Sequence, residues 1–127
     1  MRSIAFSMAF ALMPASLLAS GNVKAADNTS LIMGMGSATC AQFATDYKAN
    51  QDADNMYFVW ARGFLSGRNS ALSEAGLPTR QLDSMPTSSQ QFFLRTYCDA
   101  HPLLPYVFAV MELQKSLKTI KKTRHPR

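Results

Sequence analysis

A chain of 127 residues, 47% hydrophobic and 17% charged, has room for one core and leaves none for a second domain. Its net charge of +5 is not spread evenly: Asp27 to Gln114 carries five basic and eight acidic side chains, and the excess comes from Lys115, Lys118, Lys121, Lys122, Arg124 and Arg127. No aromatic is interleaved with those six, which argues against nucleic acid and for a solvated basic tail that also complements a helix dipole.

Residues 1–25 read as a signal peptide. Arg2 supplies the positive start, and Ile4 to Leu18 is apolar apart from Ser7 and Ser16. Val23-Lys24-Ala25 puts small residues at −3 and −1, which places cleavage after Ala25. The apolar run is shorter than the ~20 residues of a spanning helix and Pro14 interrupts it, so no membrane span is expected. The expected location is a bacterial periplasm or the outside of the cell. Such a compartment is oxidising, so the two cysteines, Cys40 and Cys98, predict one disulfide. Closing a 58-residue loop contributes roughly 4 kcal/mol in a chain-entropy treatment.

Residues 26–38 form an N-terminal arm in which Gly34 and Gly36 argue against a helix. Met33 and Met35 make a Met-x-Met pair, a pattern that can hold copper, although packing on the core explains it more simply. A helical domain follows at 39–120, and the basic tail at 121–127. Helix one starts at Thr39, with Thr39-x-x-Gln42 as a capping box and Cys40, Phe43 and Tyr47 on one face. Asn50 to Asn55 is polar and turn-forming.

Helix two follows, capped by Asp54. Met56, Tyr57, Trp60, Gly63, Phe64 and Gly67 repeat at helical spacing until Glu74 to Gly76. Gly63 and Gly67 share a face, and each costs up to ~1 kcal/mol against alanine. Their spacing predicts another helix packed closely over them. Leu77 to Pro86 is a loop. Helix three begins near Thr87, with Thr87-x-x-Gln90 as a second capping box, and buries Phe93, Leu94, Tyr97 and Cys98. Asp99-Ala100-His101-Pro102 ends it. Pro102 or Pro105 suits the first turn of helix four. There Tyr106, Val107, Val110, Met111, Leu113, Leu117 and Ile120 form a broad apolar stripe, either core or a homodimer face. No segment reads as a strand, so the fold is all-α with four helices.

Catalysis by a nucleophile requires a base beside it. The histidines are His101 and His125, and Ser66 lies outside any nucleophile elbow. Asp52 and Asp54 resemble the start of an EF-hand loop, but Tyr57 stands where its glycine belongs. Asp99 and His101 are two metal ligands at most. Trp60 beside Tyr57 reads as core. The chain is therefore expected to be no enzyme and to use neither metal nor cofactor.

Thr39-Cys40 with Phe43, the run Trp60 to Asn69, Tyr97-Cys98 with His101-Pro102, and then Ala109 and Leu113 resemble small exported bacterial proteins. These are the HdeA-like acid-stress chaperones and the similarly built immunity proteins of type VI secretion systems, and most of all members without an assigned function. The resemblance implies a disulfide-linked helical domain in the periplasm, with Trp60, Gly63, Phe64, Gly67 and Tyr97 in helix packing. Some members dimerise, then open at low pH and hold unfolding clients. The function it implies is stress-related, chaperone-like protein binding. The alternative is an immunity or inhibitor protein that binds one partner enzyme. Charge permits the first: the chain after Ala25 carries +3 near neutrality and approaches +13 once its carboxylates and histidines are protonated.

Overall fold

The computed structural model describes residues 31–121. The signal peptide expected at 1–25, the start of the arm and residues 122–127 of the tail lie outside the described residues. Helix α1 spans Cys40–Ala49. The Thr39 hydroxyl caps it, accepting from the Gln42 backbone amide at 3.1 Å. Gln42 does not complete the box, because its side chain donates to Asp46 at 2.7 Å instead. Two more amides of the first turn find carbonyls outside the helix, Cys40 N donating to Leu104 O and Ala41 N to Pro102 O. The start of α1 is thereby held against the loop that follows the third helix.

Helix α2, Gln51–Glu74, is longer than the sequence suggests. Asn50, an extended residue between α1 and α2, caps it by accepting from Asp52 N at 3.0 Å. Asp54 is therefore not the cap. Asp52 and Asp54 lie in the first turn, where negative charge favours the helix dipole. At the other end Gly76 adopts φ +72°. Leu77 N then reaches Leu72 O, and Gly76 N reaches Ser73 O, the paired bonds of a Schellman stop.

Helix α3, Thr87–Ala100, takes Thr87 inside the helix, and Pro86 precedes it with no side-chain cap. The expected second capping box does not form. Gln90 is buried, and its amide nitrogen donates to Leu82 O at 2.8 Å and Met85 O at 2.7 Å. It fastens the preceding loop rather than the helix end. Helix α4, Tyr106–Ser116, starts after Pro105 and is tied to the arm by Tyr106 N donating to Ala38 O.

The expectation of no strand is corrected. Thr79–Arg80 (β1) and Thr119–Ile120 (β2) pair antiparallel, Thr79 opposite Ile120 and Arg80 opposite Thr119. The stripe assigned to helix four therefore ends at buried Leu117, and Ile120 is exposed on a strand. Asn69 of α2 acts as a third partner. Its side chain accepts from Arg80 N and donates to Arg80 O, so one amide satisfies both backbone groups of an edge residue.

The core is helical. Phe43, Tyr57 and Tyr106 meet with ring centroids 4.8–5.0 Å apart, and Ala61, Leu65, Leu94, Ala109, Val110 and Leu113 fill in around them. Cys40 and Cys98 are bonded, fully enclosed and 4.7 Å apart at Cα. The bond joins the start of α1 to the end of α3, as the sequence predicts.

Candidate functional site

Gly63 and Gly67 require correction first. Both are exposed, and a Cβ built on either meets nothing within 4 Å. The helix packing assigned to them belongs to the arm. Residues Gly34–Ser37 form a 3-10 turn over Trp60, although Gly34 and Gly36 argued against any helical turn there. A Cβ on Gly36 would overlap the Trp60 ring and approach Ile32 Cγ2 to 2.8 Å. Gly34, at φ +67°, would place one 3.5 Å from Trp60 Nε1. Trp60 is therefore half-buried beneath a glycine-lined strap and stacks on Phe64 at 5.3 Å. Met35 of the strap packs against the core, whereas Met33 is 78% exposed.

Tyr97 takes a different place. It stacks on His101 at 4.2 Å and on Phe93 at 6.5 Å along α3. The His101 ring shares a 2.9 Å hydrogen bond with Tyr97 O. Asp99 lies 4.0 Å from Lys48, so the two candidate metal ligands serve the helix junction. Among the described residues no group of three or more His, Cys, Asp or Glu side chains could hold a metal, and no helix is long and apolar enough to cross a membrane.

Two phenols sit inside. Tyr57 donates to Asp46 Oδ2 at 2.8 Å, and its pKa is pushed up to about 12 by burial, then by that hydrogen bond and the Asp46 charge. Tyr106 is enclosed without a hydroxyl partner; burial raises it far above the usual phenol range, helped by the charges of Asp54 and Tyr57. Both stay neutral at physiological pH and pack in the core.

The surface features that the sequence reading missed are apolar. Exposed Phe92 (64%) joins Met85, Phe93, Thr96 and Tyr97 around a groove of about 450 Å³. Met56 and Val59 (70% exposed) join Met35 and Trp60 around a second, of about 460 Å³. A third, about 550 Å³, lies between arm, α2 and α4 and is lined by Leu31, Phe64, Val107, Phe108 and Met111. It abuts a smaller cavity of about 210 Å³ that contains Arg68, Arg80, Gln114 and Lys115. The usable signal was the apolar residue off the buried stripe, at Met56, Val59, Phe92 and Phe108. No family profile, curated protein or solved structure matches this chain.

Proposed function

We propose that this is a non-enzymatic exported protein that binds other polypeptides through its apolar grooves, as a chaperone-like factor of the acid-stress type. The observation that carries the reading is the three open apolar grooves on one disulfide-closed domain. Isolated exposed apolar residues are ordinary, but grouped ones mark interaction surfaces. Acid would widen them. Asp46 links α1 to Tyr57 of α2, and Asp54 of α2 is ion-paired with Arg95 of α3. Protonating these carboxylates ends the Asp54–Arg95 ion pair, weakens the Tyr57–Asp46 hydrogen bond and leaves the positive charges unopposed, while the Cys40–Cys98 bond keeps the chain closed.

The test is suppression of light scattering by an aggregating client. Stronger suppression at pH 2–3 than at pH 7 supports the reading, and no suppression at either pH refutes it. Tight capture of a single periplasmic partner at neutral pH, unaffected by acid and without client suppression, supports the inhibitor reading instead.

A further inference from the structure

We propose that the groove between the arm, α2 and α4 and the cationic cavity beside it form one site, which takes a polypeptide segment carrying an apolar side chain followed by a carboxylate. This deepens the protein-binding reading and rests on it. The two spaces adjoin, because Arg68 and Met111 line both. The groove is apolar, with Phe64, Val107 and Phe108 in its walls.

The cavity reverses that character. Arg68, Arg80 and Lys115 line it, and Lys115 is ion-paired with Glu112, which is not part of the lining. Arg80 is not loose: one terminal nitrogen donates to Leu117 O at 3.1 Å and to Thr119 Oγ1 at 2.6 Å. Its charge is held in place, which favours a planar acceptor such as a carboxylate.

A second observation is independent of charge. Gln114 lines the same cavity, is 5% exposed, and its amide nitrogen has no hydrogen-bond partner. A buried donor without an acceptor is costly, and an anionic oxygen in the cavity relieves that cost. The groove is open along its length, with Leu31 93% exposed and Phe108 46% exposed. A lipid tail laid there would keep much of its surface in water, whereas a polypeptide can seat single side chains and leave its backbone solvated.

The probe is a fluorescein-labelled peptide of about eight residues with a leucine–phenylalanine pair followed by two aspartates, compared with its asparagine counterpart by anisotropy. At pH 7, where the aspartates are ionised, the acidic peptide should bind about tenfold more tightly at low salt, and moderate salt should shrink the difference. The double variant Arg68→Gln with Lys115→Gln should abolish the preference, with its helical signal retained. Phe108→Ser should weaken both peptides alike. Equal binding of the two peptides, or a preference that survives the double variant, overturns the proposal. So does dodecanoate that binds more tightly than the acidic peptide and displaces it, since the ligand is then a lipid acid. Client suppression that persists without any acidic preference refutes this site alone; loss of suppression at every pH refutes the protein-binding reading beneath it.

Discussion

Alanine substitutions at Gly36, Gly63 and Gly67 separate two accounts of where this fold needs glycine. At Gly36 the new methyl would overlap the Trp60 ring and crowd Ile32. Trp60 is held on one side, where it stacks on Phe64 and its ring centroid lies 6.2 Å from that of Tyr106. The arm must lift or the indole must shift, and overpacking of this kind costs about 1–3 kcal/mol. At Gly63 and Gly67 a methyl enters open space on an exposed helix face. There the backbone-entropy gain is unopposed, about 0.5–1 kcal/mol for each site. With roughly 4–8 °C per kcal/mol for a domain of this size, the Gly63→Ala, Gly67→Ala double variant should melt about 4–16 °C higher. Gly36→Ala should melt lower and change the tryptophan emission. Circular dichroism melts with parallel fluorescence read all three variants. A neutral Gly36→Ala, or a destabilising Gly63→Ala, refutes the reasoning, and the second result would mean that something packs on that face in solution.

Three other outcomes follow from the same contacts. Reducing Cys40–Cys98 frees a 58-residue loop and should lower stability by about 4 kcal/mol, seen in calorimetry as a fall of more than about 15 °C. An unchanged melt contradicts the staple. Asn69→Ala should cost about 1–3 kcal/mol in urea denaturation, because both backbone groups of Arg80 lose their side-chain partner; a variant as stable as the wild type removes Asn69 from its place beside β1. Alkali should destabilise the fold. The Tyr57 phenol is raised from about 10 in the unfolded chain to about 12 in the fold, so its contribution is fully present below the first value and lost as pH rises through the second. Urea midpoints between pH 9 and 12 should decline less steeply in Tyr57→Phe, and an identical slope counts against that burial.

Much of the core was legible because its signals are local. Phe43, Tyr57, Leu94, Tyr106 and Leu113 sit at helical spacing, and the Thr39 cap and the cysteine pair need only short motifs or a compartment argument. What was not legible depends on distant partners. Two-residue strands such as Thr79–Arg80 have no periodicity, and their pairing joins residues about forty positions apart. Gly63 and Gly67 announce a shared face but not which side of α2 it is, and the core took the side of Tyr57, Ala61 and Leu65. Thr87 and Gln90 matched a capping pattern, yet Gln90 is spaced equally well to fasten Leu82 and Met85. The cationic cavity draws Arg68, Arg80 and Lys115 from three elements, so no window of sequence contains it.

The central claim is that the apolar grooves bind polypeptide, and the methionine methyls report on it directly. Met85 lines one groove, Met35 and Met56 the second, and Met111 the third, while exposed Met33 lines none of them. In a methyl NMR titration with an unfolded client, Met35, Met56, Met85 and Met111 should shift or broaden with Met33 unmoved. A client that leaves all four groove methyls in place, or moves Met33 alone, contradicts the account.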